Sequence, residues 1–127
     1  MGRKKQDEKF RLEKELYYQT IWYIRRYPAF IQRREEILEG SAAPADGQPR
    51  GSGISDPTTS KALALELIAG ELDPINAALE MIPLEYQKGI MSNIIERKPF
   101  PSFAAVKTWK TWKRRFVWYV AYFRGDV

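Results

Sequence analysis

The side chains with the clearest chemical potential form a basic series near the C-terminus. Lys107, Lys110, Thr111, Arg114 and Trp118 stand at i, i+3, i+4, i+7 and i+11, with Thr108, Lys113 and Arg115 among them. On a helix of 3.6 residues per turn the series shares one face, flanked by Lys113 and Arg115. Like charges at these spacings weaken an isolated helix, so their grouping points to an anionic partner. Lysine and arginine displace counterions from phosphates, the sequence-independent part of DNA or RNA affinity. The plainer alternative is a solvated charged face. Trp118 falls among the cations, where its indole either meets a sugar, a base or a partner protein, or packs against the N-terminal helix.

Other chemistries have little to work with. The 127-residue chain holds no cysteine and no histidine, which removes the thiolate nucleophile, the commonest metal ligand and the commonest acid–base group near neutral pH. Carboxylates such as Glu66, Glu71, Glu80 and Glu85 are scattered, without metal-ligand spacing, a glycine-rich phosphate loop or a nucleophile–base pair. No catalytic residue, metal or cofactor is therefore expected, and the chain is expected not to be an enzyme.

The net charge of +5 is unevenly spread. Residues 1–39 hold ten Lys/Arg against seven Asp/Glu, residues 40–95 three against seven, and residues 96–127 eight against two. The positive field thus belongs to the last quarter, where a polyanion would dock. Basic residues near the N-terminus are not followed by an apolar stretch, and no run approaches the ~18 uncharged apolar residues of a membrane span. A cytoplasmic protein that does not enter a membrane is expected.

The elements that must position the basic series are helical. Hydrophobic residues make up 44% of the chain, with four Trp, seven Tyr and six Phe, enough large side chains for one core. Phe10, Leu16, Tyr17, Ile21, Ile24 and Tyr27 predict a long helix over 6–27, offering either a dimer interface or a face for the C-terminal half. Pro28 stops or kinks it before it resumes over 29–38, with Gly40 as C-cap. The Gly-, Pro- and Ser-rich stretch 40–55 reads as a flexible linker. Ser55-Asp56-Pro57 opens a helix over 57–71, Asp73-Pro74 a short one over 74–81, and Ile82-Pro83 another over 83–96. Two prolines in Lys98-Pro99-Phe100-Pro101-Ser102 interrupt the pattern, and Ser102 caps a final helix to about 123, with Gly125 beyond it. The fold class is therefore all-α, a single domain of about five to six helices. It divides into an N-terminal helical part (1–39), a linker (40–55) and a helical DNA-binding region (56–127).

On a helical wheel, Ala105, Trp109, Trp112, Phe116, Tyr119, Val120 and Phe123 gather on one side of the final helix and form its expected buried face. Helix 83–96, the proline-containing connection and the final helix have the layout of a helix-turn-helix. In it Lys107, Thr108, Lys110, Thr111 and Arg114 face the DNA. A short supporting helix before the turn has only residues 101–106 available to it.

The segment from Ile82-Pro83-Leu84-Glu85-Tyr86-Gln87 through Thr108-Trp109-Lys110-Thr111-Trp112-Lys113-Arg114-Arg115-Phe116 to Ala121 resembles phage-encoded transcriptional regulators of the RinA/ArpU type, related to sigma-factor region 4. Trp112, Lys113, Phe116, Val120 and Ala121 match the recognition-helix pattern of that family. The resemblance implies a DNA-binding regulator of phage or prophage late genes in a bacterial host, with double-stranded DNA as partner; RNA polymerase, and through the N-terminal helix a second copy of the chain, are further candidates. Two alternatives remain from the residues themselves: a helical module gripping an acidic protein, and a DNA-packaging accessory protein.

Overall fold

A computed structural model describes residues 8–40 and 57–127; of the expected linker over 40–55, all but Gly40 lies outside the described residues. The chain is all-helical, with no strand among the described residues. The helices that lie wholly within the described residues are α1 (Lys14–Arg25), α2 (Tyr27–Glu39), α3 (Pro57–Glu80), α4 (Leu84–Glu96) and α5 (Val106–Phe123). No helix among the described residues is long and apolar enough to cross a membrane.

Two compact units divide the chain, cut at Tyr27/Pro28 and at Asp73/Pro74, so both boundaries fall at prolines, whereas composition divides the chain near 39 and 56. One unit holds residues 28–73, in which Phe30, Ile37, Ile68 and Leu72 are buried. Its α2 ends on Gly40 at φ +77°, whose N–H donates to the Ile37 carbonyl at 3.0 Å. That left-handed turn suits glycine, which has no Cβ to clash.

The other unit joins the N-terminal residues to residues 74–127. Here α1, α4 and α5 pack on one another, burying Ile24, Ile75, Ile90, Ile94, Trp109, Phe116, Val117 and Val120 almost completely. Ile21 and Ile24 are spent on this core, so α1 packs within its own chain. Thr20 is fully buried beside them, its hydroxyl satisfied by donation to the Leu16 carbonyl one turn back at 2.8 Å.

Four local expectations are corrected. The helix expected over 6–27 is broken: Glu8 is helical, residues 9 and 10 form a turn, and α1 runs from Lys14. Arg11 donates its N–H to the Glu8 carbonyl, residues 11–13 leave the helical path, and Phe10 turns back to meet Trp118 and Tyr119 at 5.3 and 5.6 Å between ring centroids. Burying that ring, worth about 1.5–3 kcal/mol, outweighs extending a polar helix. Second, α3 runs unbroken through Pro74. A mid-helix proline costs about 3 kcal/mol, but Leu72 and Ile75 on either side are 1% and 0% exposed, and their burial holds the helix together.

Third, Ser102 does not cap α5. That helix starts at Val106 after Ala105, with no side-chain cap and no helix over 97–105, so the connection from α4 exceeds the three-to-four-residue turn of a compact helix-turn-helix. Fourth, the buried stripe of α5 is rotated from the expected one. Trp109, Phe116, Val117, Val120 and Ala121 are buried, Trp112 and Tyr119 are half-buried, and Ala105 and Phe123 are exposed. Aromatic size alone points to one stripe, whereas packing of α5 on α1 and α4 buries the smaller Val117 and Ala121.

The tightest approach is at Gly89. A Cβ there would lie 2.6 Å from Cη2 and 2.8 Å from Cζ3 of Trp109. Gly70, exposed in α3, has no atom within 4 Å of its Cβ position. Gly89→Ala is expected to lose about 1–3 kcal/mol through overpacking, while Gly70→Ala gains about 0.5–1 kcal/mol from helix propensity. Urea unfolding of the two variants checks both signs.

Candidate nucleic-acid interface

The connection after α4 begins with an unusual cap. Arg97 adopts the left-handed region at φ 58°, ψ 31°, and Lys98 returns its N–H to the Ser92 carbonyl at 3.4 Å. Asn93 then ties three pieces together. Its amide donates to the Lys98 carbonyl at 2.7 Å, and its Oδ1 accepts from Nζ of Lys113 at 2.8 Å. From the opposite side Nε of Arg25 donates to the Ile94 carbonyl at 2.8 Å, a cation at a helix C-terminus where the dipole favours it. Phe100 lies flat on Trp109, with centroids 5.4 Å apart and planes within 6°.

These contacts shape a groove of about 430 Å³ lined by Arg11, Leu12, Tyr17, Asn93, Phe100, Lys110, Lys113 and Arg114. Four of the eight carry positive charge and none is Asp or Glu. Burial, followed by Arg25 and Lys110, pushes the Lys113 ammonium below its ordinary value of 10.5. Burial, together with Tyr18, pushes the Tyr17 hydroxyl above 10.0, with Arg114 and Arg25 pulling it back. Near neutral pH, Tyr17 thus offers a neutral hydroxyl among clustered cations. The arrangement suits phosphate oxygens, which take charge-assisted hydrogen bonds from several donors at once.

The predicted site residues divide. Lys107 and Lys110 are exposed on α5, Thr108 sits half-buried near its start, and Lys110, Lys113 and Arg114 meet in the groove. The Thr111 hydroxyl is turned to its own helix, donating to the Lys107 carbonyl at 3.1 Å. Arg115 is half-buried, its guanidinium 4.9 Å from the Phe10 ring and 5.3 Å from that of Trp112, a cation–π arrangement within the fold. Trp118 is also half-buried, edge-on to Phe10 and stacked on Tyr122 at 5.2 Å, so the N-terminal segment is what covers it.

Arg11, Leu12, Tyr17, Asn93 and Phe100 complete the groove without having been assigned to the site from the sequence. No local pattern marks them: Arg11, Leu12 and Tyr17 lie far along the chain from α5, and Asn93 and Phe100, though nearer, lie outside it and meet it only through folding. Comparison of the chain with protein-family models, with curated proteins and with solved structures finds no match.

Since folding lowers the Lys113 value, the unfolded chain binds more protons between the folded value and 10.5, and stability contributed there rises with pH. Tyr17 works in the opposite sense, its contribution being lost as pH climbs above 10.0. Comparing wild type with Lys113→Met isolates the first effect. The wild type is expected to gain relative to the variant as pH rises toward 10.5 in urea unfolding.

Proposed function

We propose that this protein binds DNA, gripping backbone phosphates with Lys107 and Lys110 on the exposed side of α5 and with Arg11, Lys113 and Arg114 in the adjoining groove. The observation that carries the reading is the groove itself, four cations and no carboxylate in its lining, next to the exposed Lys107. Phosphate contacts of this kind set affinity and position, while base contacts set sequence preference. Thr108 is half-buried in the first turn of α5, the part of a recognition helix that approaches base edges. Arg115 and Trp118 support the helix from inside by holding Phe10. Taken with the resemblance of residues 82–121 to phage regulators, the proposed role is regulation of phage or prophage transcription on double-stranded DNA.

The test is a fluorescence-anisotropy titration of a labelled blunt duplex at several salt concentrations, with the Lys107→Ala/Lys110→Ala/Arg114→Ala variant checked for folding by circular dichroism. Each phosphate contact adds about 0.9 to the slope of log affinity against log salt. The variant is expected to lose about 2–3 from that slope and to bind more weakly on every sequence. Salt-insensitive binding, or equal binding by both proteins, defeats the reading.

A further inference from the structure

Beside the groove, α1 presents two large aromatic rings to solvent. Tyr18 is 53% exposed and Trp22 58%. At i and i+4 they share a face and are about 6 Å apart along the helix axis. The rest of that face is polar: Lys14, Glu15, Gln19 and Arg26 are exposed with them. Two guanidiniums attend the indole, Arg25 at 4.8 Å and Arg97 at 5.9 Å from its centroid. Arg25 also belongs electrostatically to the groove, acting on both Lys113 and Tyr17, and the Tyr17 ring in the groove wall is edge-on to Tyr18 at 5.3 Å. The aromatic face and the cationic groove are therefore neighbours joined by Arg25 and Tyr17.

Arg97 adds an independent argument. A residue in the left-handed region at the end of a helix is usually glycine, and any other side chain there carries strain. Arg97 holds that position at φ 58° with its guanidinium beside an exposed indole. Strain of this kind collects where the side chain itself is used.

We infer that Trp22 and Tyr18 form a stacking platform for unpaired bases, so that an unpaired strand next to a duplex lays its bases on α1 while its phosphates follow Arg97 and Arg25 into the groove. The inference rests on the nucleic-acid reading of that groove. Bases inside a duplex are already stacked on one another and must be unstacked to admit a side chain, so a ring standing out from a helix surface reaches an unpaired base at lower cost. A stacking ring beside a cationic track is the combination that single strands require. A membrane interface fits less well, since it needs a broad apolar face, and this one carries Glu15 and Gln19 beside its two rings.

The experiment compares full-length protein on a blunt duplex, on the same duplex carrying a short oligo(dT) overhang at the 5′ or the 3′ end, and on anionic phospholipid vesicles. The wild type is expected to bind one overhang duplex more tightly than the blunt one. Trp22→Ala is expected to remove that gain, about 5- to 150-fold for one lost base–aromatic stack, with blunt-duplex binding unchanged. Trp22→Phe is expected to restore part of the gain and Trp22→Leu none. Arg97→Gly is expected to lose the gain too while unfolding at no lower urea concentration than wild type, which separates use of the side chain from damage to the fold. Equal affinity for blunt and overhang duplexes, equal loss on both in Trp22→Ala, or Trp22-dependent vesicle binding overturns the platform and leaves the duplex reading standing. Absence of binding to any DNA overturns both.

Discussion

The arrangement of this unit depends on one contact, the indole of Trp109 laid on the backbone of α4 at Gly89. The ring is completely buried, with Tyr86, Phe100 and Phe103 around it at centroid distances of 4.8, 5.4 and 5.1 Å. Only glycine leaves room for it. By area, burying the ring contributes on the order of 4–6 kcal/mol. That exceeds the about 1–3 kcal/mol lost because its Nε1 finds no hydrogen-bond partner among the described residues. Four residues on from each member of the contact, Asn93 and Lys113 meet at 2.8 Å. The packing that joins α4 to α5 therefore also places a half-buried cation of the groove.

The electrostatics run against the packing. Lys113 is held near Arg25 and Lys110, and both disfavour its charge. A chain selected only for stability would place a neutral residue there, since a partly buried cation among cations costs free energy until an anion arrives. Asn93 offsets part of that cost through one hydrogen bond. Arg97 shows the same tension in the backbone, holding a glycine-like conformation with a long charged side chain. These costs fall around one groove, as expected where local stability is exchanged for a prepared binding surface.

Much of the helical framework was legible because its signals are local. Pro28 separates α1 from α2, Pro83 precedes α4, and Gly40 closes α2; each acts through its own backbone geometry. The basic face of α5 was legible for the same reason, helical spacing being a property of neighbours in sequence. Where a local signal competed with burial, burial won. Pro74 did not end α3 because Leu72 and Ile75 are buried around it, and Phe10 drew residues 11–13 out of a helix to reach Trp118. The end of α3 depends on a more distant device, in which the Gln87 side-chain amide donates to the Leu79 and Ile82 carbonyls at 2.9 and 3.0 Å.

By itself, then, the sequence determined that the chain is helical, roughly where prolines and glycines punctuate it, and that the last helix carries a cationic face. Those properties follow from backbone sterics and periodicity, which act over a few residues. Only the tertiary structure decided which of the cations converge. It drew Arg115 and Trp118 inward onto Phe10, turned the Thr111 hydroxyl to its own backbone, and brought Arg11, Tyr17 and Asn93 to Lys110, Lys113 and Arg114. The reason is physical. A helical wheel records direction around one axis, whereas a binding surface is set by where several axes cross, and here the Trp109 ring of one helix seats against Gly89 of another.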